Sequence, residues 1–307
     1  MPESAEVSEA DLSQDVFGMN ALFAASFGRH VFKVIRQDPR TRWSHIILGN
    51  AMDVNMSLIN YGRVDFSSPL SVYSRELGRN VAISPDDQVL LYCYYIMRMH
   101  YCSAKAIYHS HGGWLSSLAK ETNGRIWMID VGCGPATCGI AFAEQLFSQF
   151  PQIHYTGIDV SAAMKAMAEK LLGDATGGQM RMSILESFDK LDDSYWASVS
   201  EVPNLFVFNM SFFFSNVDSS FTENLVNRMI AVMKRHPLNR YVFVIQHSEH
   251  DAKIRSFTVF KRLLSQHVAH IKSARTTFRY ESGGVSKTIP LCYEIWKAAC
   301  LPCSVPN

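Results

Sequence analysis

The stretch Ile126-Trp-Met-Ile-Asp-Val-Gly-Cys-Gly-Pro-Ala-Thr-Cys-Gly-Ile140 constrains this chain more than any other. An apolar run ends in an acid, passes a Gly-x-Gly turn and opens an amphipathic pattern. That order predicts a strand, a tight loop and a helix start. Only glycine turns a backbone that sharply while leaving room for a ligand against the main chain. The first turn of the helix then offers unpaired N–H groups. A second apolar run, His154-Tyr-Thr-Gly-Ile-Asp, ends in Asp159. Together the two segments form half of a nucleoside-binding site.

The rest of the chain can support such a site. Its 307 residues are 48% hydrophobic and 19% charged, enough for a large core. Seven cysteines, odd in number and mixed into apolar runs, are no disulfide framework and predict a reducing, cytoplasmic setting. No apolar run approaches the roughly 18 residues of a membrane span, so no membrane association is expected. The acidic start Met-Pro-Glu-Ser-Ala-Glu carries no signal-peptide pattern. The formal charge of +1 conceals an asymmetry. Residues 1–129 hold 12 basic and 12 acidic residues, residues 130–227 hold 4 and 12, and residues 228–307 hold 13 and 4. The nets of 0, −8 and +9 fit two readings: opposite faces of one domain, or a basic surface for an anionic substrate such as RNA.

Residues 1–14 read as a disordered acidic tail. Helical spacing runs from Gln14 to Gln37, with Asp38-Pro39 as its stop, and one or two helices are expected between Trp43 and Ile59. Gly62 to Arg79 reads as loop. Ser84-Pro85-Asp86-Asp87 is a helix start, with a serine cap, proline in the first turn and acids against the dipole. The tyrosine-rich helix that follows is expected to stop at Gly112-Gly113. After residue 125 short apolar runs alternate with helical stretches, which predicts a parallel sheet flanked by helices. Strands are expected at 126–131, 154–159, 180–185, 205–210 and 241–246. Helices are expected at 137–149, 161–172, 221–235 and 249–270. A final hairpin is expected from 274–281 and 288–296 about Ser282-Gly283-Gly284.

This order of elements, with Asp130-Val-Gly-Cys-Gly-Pro-Ala-Thr and Tyr155-Thr-Gly-Ile-Asp159-Val-Ser, resembles class I S-adenosylmethionine-dependent methyltransferases over residues 125–297. The resemblance implies a Rossmann-like α/β fold: a mostly parallel sheet closed by an antiparallel hairpin. It also implies a helical cap for substrate recognition at 15–124, a cofactor domain at 125–298 and a tail at 299–307. A dinucleotide oxidoreductase is the rival, since Gly-x-Gly loops serve both. Thr137 at the sixth fingerprint position, an acid just before the loop and the closing hairpin all disfavour it. One departure stands out: Ala136 occupies a position where many family members have a third glycine.

The resemblance implies a cofactor, S-adenosyl-L-methionine, and a set of contacts. Gly132, Cys133 and Gly134 would let the backbone approach its amino-acid part. Asp130 would meet an ammonium group or fix the loop. Asp159 would accept the ribose hydroxyls, with Val160 beside it. Ser187 and Phe188 would flank the adenine. Asn209, ending the fourth strand, would face the transferred methyl. Tyr73 and Arg75 would close over the carboxylate. His247, after the fifth strand, is the first candidate for a base, with Asn209 as a second catalytic candidate. Tyr95, Tyr108, His111 and Phe213 are candidates for the substrate pocket. His247-Ser-Glu-His250 has poor metal spacing, so no metal is expected. Cys300-x-x-Cys303 lacks the strand-to-helix context of a redox motif and reads as tail. The reading is methyl transfer to a small, aromatic molecule held under the cap. The alternatives are an RNA or protein methyltransferase using the basic C-terminal segment, and a non-catalytic binding module that keeps the fold.

Overall fold

A computed structural model describes residues 16–38, 66–74, 79–198, 204–215, 217–247, 255–282 and 285–298. The tail 1–14, the helices expected between Trp43 and Ile59, and the Cys300/Cys303 pair lie outside the described residues.

The elements are β1 (Val16–Phe17), α1 (Ala21–Phe27 and Lys33–Gln37, joined by a π turn Gly28–Phe32), β2 (Leu70–Ser74), β3 (Arg79–Ile83) and α2 (Pro85–Tyr92, a π turn Cys93–Met97, and Arg98–Lys120). Then come β4 (Ile126–Val131), α3 (Thr137–Leu146), β5 (Ile153–Ile158), α4 (Ala162–Ala175), β6 (Arg181–Leu185) and α5 (Asp193–Ser198). The chain continues with β7 (Leu205–Ser211), α6 (Ser219–Arg235), β8 (Arg240–His247), α7 (Arg255–Leu264), β9 (Ala269–Ser282) and β10 (Val285–Ala298). One sheet runs in the order β1-β9-β10-β8-β7-β4-β5-β6, and β2 and β3 form a separate hairpin. Strands β6, β5, β4, β7 and β8 are parallel, while β10 is antiparallel to both neighbours.

The centre of this sheet follows from burial. Every residue of β4 is buried, as a parallel strand covered on both faces must be. Two apolar cores result, one per face. The first gathers Met128, Tyr155 and Val207 with α1, α2, α3 and α4. The second gathers Trp127, Phe206, Phe208 and Phe243 with α5, α6 and α7. The N-terminal helices share the first core with the sheet, so cap and sheet pack as one body of side chains.

Four expectations fail for physical reasons. Gly112-Gly113 does not stop the long helix, which runs to Lys120. Leu115, Leu118 and Ala119 beyond it are buried, and that apolar stripe outweighs the roughly 1 kcal/mol cost of a helical glycine. The stop comes instead at Gly124, left-handed at φ 71°, whose N–H returns to the Ala119 carbonyl at 2.8 Å. Within the expected loop 62–79, residues 70–74 pair antiparallel with 79–83. Val16 and Phe17 are not helical but pair parallel with Arg279 and Tyr280 of β9, tying the start of the chain to its closing hairpin. The long helix expected at 249–270 ends at Leu264, the end of α7, because Ala269 already pairs with Lys297 as β9 begins. The Ser84 start is a full capping box: Asp87 N–H donates to Ser84 Oγ at 3.1 Å, and Ser84 N–H to Asp87 Oδ2 at 3.0 Å.

Two glycines separate propensity from packing. A Cβ at Gly113, in the exposed flank of α2, meets nothing within 4 Å, so Gly113→Ala should stabilise by about 0.5–1 kcal/mol through helix propensity. A Cβ at Gly139 in α3 would run into the buried ring of Tyr155. Gly139→Ala should therefore destabilise by about 1–3 kcal/mol despite the same propensity gain. Urea denaturation midpoints check both signs.

Candidate functional site

Ligands in open α/β sheets bind beyond the carboxyl ends of the parallel strands, and here that edge begins at Val131. Gly132 and Gly134 are left-handed at φ 69° and 52°. The N–H groups of Gly132 and Cys133 both donate to the Ile158 carbonyl, at 2.8 and 3.1 Å, which folds the loop against the end of β5. Ala136 is also left-handed, at φ 59°, and is fully buried. The chain thus demands there the conformation that glycine adopts freely, and alanine holds it at a strain of about 1–2 kcal/mol.

Asp159 locks this loop from the neighbouring strand. Its Oδ2 accepts from Gly134 N–H at 2.9 Å and its Oδ1 from Ser161 N–H at 2.9 Å. Burial raises its carboxyl above the usual range, and the two N–H bonds and Lys165 oppose that rise. Each oxygen keeps a further lone pair for an external donor. Ser161 caps α4 and donates its hydroxyl to the Phe66 carbonyl at 3.0 Å, fastening residue 66 to the same edge.

Asp130 faces the other way, into the first core. It is 2% exposed and has neutral partners: Asn209 Nδ2 at 2.7 Å and the Tyr155 hydroxyl at 3.0 Å. The Asn209 Oδ1 accepts in turn from the Tyr108 hydroxyl at 2.7 Å. Burial pushes the Asp130 carboxyl up to about 6, against the downward pull of Asn209 and Tyr155. Beside this chain runs a second one, in which Ser211 Oγ donates to Gln246 Oε1 at 2.9 Å and Gln246 Nε2 donates to Ser103 Oγ at 2.7 Å.

The other expected residues scatter. Cys133 is buried, its thiol turned back to the Gly134 carbonyl. Val160, next to Asp159, is 75% exposed on the rim. Ser187 is half-buried at the end of β6, but Phe188 lies in the second core, stacked on Phe208 at 6.4 Å between ring centres. Phe188 also lines a shallow cleft with Trp196 and Arg228, on the face away from Asp130. Tyr73 is exposed on β2, and Arg75 lies outside the described residues. Tyr95 points outward, edge-on to Tyr94. His111 meets the Tyr293 hydroxyl at 3.0 Å, far along α2 from Tyr95. Tyr95, Tyr108 and His111 therefore share no pocket. His247 stacks on Phe257 in the second core at 4.8 Å, whereas Gln246 faces the polar chain. Strand alternation sends neighbours to opposite faces, and His247 falls on the wrong one for Asp130 and Asn209.

Phe213 does reach the loop. A Cβ at Gly132 would come within 2.7 Å of its ring. His100, which sequence reading passed over, stands at the same edge with Tyr92 of the tyrosine-rich helix. The Tyr92 hydroxyl lies 3.1 Å from His100 Nδ1, and the His100 ring stacks on Phe212 at 4.5 Å. Tyr92 and His100 are eight apart on one helix, close to two turns, and that spacing was the available signal. Thr137, at the start of α3, buries its hydroxyl oxygen with no hydrogen-bond partner among the described residues.

The sheet order, with β4 and β7 at its centre and a hairpin closing one side, decides the architecture. The fold is Rossmann-like α/β, with the mostly parallel sheet and closing antiparallel hairpin that the sequence resemblance implied. No protein-family profile and no curated protein matches the chain. Among solved structures it is similar to precorrin-6y C5,15-methyltransferase from Geobacter metallireducens, at 12% identity over 60% of this chain and 85% of that one, TM-score 0.39. It is similar to an O-methyltransferase from Bacillus cereus in complex with SAH, at 11% over 62% and 80%, TM-score 0.41. A third likeness is to a putative RNA methyltransferase from Pyrococcus horikoshii, at 11% over 62% and 82%, TM-score 0.39. Among the described residues no cluster of metal-ligating side chains occurs, and no helix is long and apolar enough to cross a membrane.

The Asp130 network gives a pH-dependent test. A carboxyl raised from 3.8 to about 6 binds its proton more tightly folded than unfolded, so this group's contribution to stability falls as pH rises from about 4 to 6. Tyr155→Phe removes a donor from the charged form. It should cost about 1–3 kcal/mol at pH 8 and clearly less at pH 5, where Asp130 is protonated. Urea unfolding at the two pH values measures the difference.

Proposed function

We propose that this protein is an S-adenosylmethionine-dependent methyltransferase acting on a small, aromatic molecule. The observation that carries the reading is the Asp159 clamp: a carboxylate at the end of β5 bonded to the N–H groups of Gly134 and Ser161, with a lone pair left on each oxygen.

The residues present suit the cofactor. Asp159 would accept the ribose hydroxyls. Exposed Val160 offers an apolar contact for the adenine. Gly132 and Gly134 would lie against the amino-acid part, and the unpartnered Thr137 hydroxyl is a donor beside them. Asp130 supplies negative charge beneath the loop. Bound there, S-adenosylmethionine would supply a methyl group already activated on sulfonium, which leaves the protein to position the acceptor and exclude water. Phe212 and Phe213, after β7, would wall the side where the acceptor enters.

A small acceptor is favoured over RNA by how the charges are spent. Basic residues of the +9 segment pair with acids: Arg228 with Asp189, Arg262 with Glu223, Lys261 with Glu294, and Arg235 with Asp193. Phosphate contacts need basic groups that release counterions on binding, and these are engaged within the fold. The rings around Phe212 suit a flat apolar molecule.

Calorimetric titration of the wild-type chain with S-adenosylmethionine should show saturable binding. Asp159→Ala should weaken it by about 1–3 kcal/mol, the cost of leaving polar ligand groups unpaired. Absence of binding to the wild type would defeat the proposal.

A further inference from the structure

Between the glycine loop and the end of β7 stands a small wall of rings. Phe66 meets Tyr92 edge-on at 5.8 Å, Tyr92 meets His100 at 6.2 Å, and His100 lies nearly parallel to Phe212 at 4.5 Å and 21°. Phe212 follows directly on Ser211, the last residue of β7, and its N–H is fixed by the Gln246 carbonyl at 2.8 Å. Tyr92 stands close enough to the loop that the charges of Asp159 and Asp130 both raise its phenol, after burial. Among these rings two polar groups stand, the Tyr92 hydroxyl and the His100 imidazole.

The imidazole is held at one nitrogen and presented at the other. Nδ1 bonds the Tyr92 hydroxyl, and Nε2 has no hydrogen-bond partner among the described residues. Burial lowers His100 to about 4, so the ring is neutral near pH 7. The ionisable groups near it are Tyr92 on its own helix and, around Tyr92, Cys93, Cys138, Asp159 and Asp130. Phe212 brings none from the β7 side. In the tautomer whose Nδ1–H donates to the Tyr92 oxygen, Nε2 carries a lone pair.

Resting on the methyltransferase reading, we infer that His100, steadied by Tyr92, receives the proton of an acceptor that is an aromatic hydroxyl, a phenol or catechol. The acceptor ring lies among Phe66, Phe212 and Phe213. Its oxygen bonds to the methyl carbon as the carbon–sulfur bond breaks and that electron pair returns to sulfur. The hydroxyl proton passes to Nε2, so the positive charge of the sulfonium ends on the imidazolium, which then releases its proton to water. Tyr92 is a positioning residue that fixes the tautomer.

The test uses the full chain with catechol and para-nitrophenol as probes, against a mixed RNA and a peptide pool, with radiolabelled S-adenosylmethionine. Wild type should methylate the phenols and neither polymer. His100→Gln should lower kcat by about 10²–10⁴-fold with S-adenosylmethionine affinity within about threefold. Tyr92→Phe should lower kcat less and leave KM nearly unchanged. A second readout needs no turnover: with S-adenosylhomocysteine present, para-nitrophenol should bind wild type with a shifted ionisation, read from its colour, and the shift should vanish in His100→Gln and His100→Asn. Folding of the variants is checked by their binding of S-adenosylmethionine. Transfer to RNA or peptide in place of phenols, binding of the cofactor with no transfer to either phenol, or an unshifted nitrophenol titration overturns the inference. Absence of cofactor binding by wild type overturns the methyltransferase reading, and the inference with it.

Discussion

Taking a carboxylate out of water costs several kcal/mol unless the protein replaces its solvation. Asp130, next to last in the central strand, has its solvation replaced without a cation among the described residues. Its solvation comes from one donor on β5, Tyr155, and one on β7, Asn209, with Tyr108 of α2 bonded to the latter. Three elements are thus fixed relative to β4 by the need to satisfy one charge. Tyr155 in turn sets how close α3 can approach, since only a glycine fits at residue 139 beneath its ring. A buried acid held by neutral donors is a standing site for positive charge, and it lies one residue from the strand end where the glycine loop begins.

The parts of this arrangement that local chemistry dictates were legible in the sequence. The strand, turn and helix around Gly132 follow from apolar periodicity and glycine spacing. Strands β4 to β8 lie within about a residue of where alternation places them, and Asp218, whose side chain caps α6, explains why that helix starts two residues early. What failed depends on contacts distant in sequence. Gly112-Gly113 looks like a stop until Leu115 and Leu118 find the core. Residues 70–74 and 79–83 pair as strands because each completes the other's ladder. His247 and Phe188 are near the expected edge in sequence, but a strand offers both faces, and the second core took them. His100 went unread because its meaning depends on Phe212, more than a hundred residues away.

The charge asymmetry resolves in the same way. A segment at −8 and a segment at +9 would repel within themselves if each stood alone. In the fold they interleave: Arg228 and Arg235 of α6 reach Asp189 and Asp193, while Arg262 of α7 reaches Glu223 of α6. Exposed pairs like these add little stability each, typically under about 1 kcal/mol. Their consequence is electrostatic and local, because each sets one of the segment's basic groups against an acid. Glu294, 7% exposed at its side chain, pairs in a more buried setting, with Lys261 at 2.7 Å and the Trp296 indole at 2.9 Å.

Backbone strain points to the same edge by a separate route. Non-glycine residues in the left-handed region cost of order 1–2 kcal/mol and persist only where the surroundings force them. The described residues contain four: Phe66, Asn123, Ala136 and Phe212. Asn123 sits at the end of α2, where such a conformation is ordinary for asparagine. The other three come from distant parts of the chain and meet around one place. Phe66 is held by Ser161 beside Asp159, Ala136 closes the glycine loop, and Phe212 carries the ring that supports His100. Packing alone does not concentrate strain in this way, since a core relaxes wherever it can. Strain of this kind gathers where more than core packing sets the backbone's shape, and ligand-binding edges are among such places.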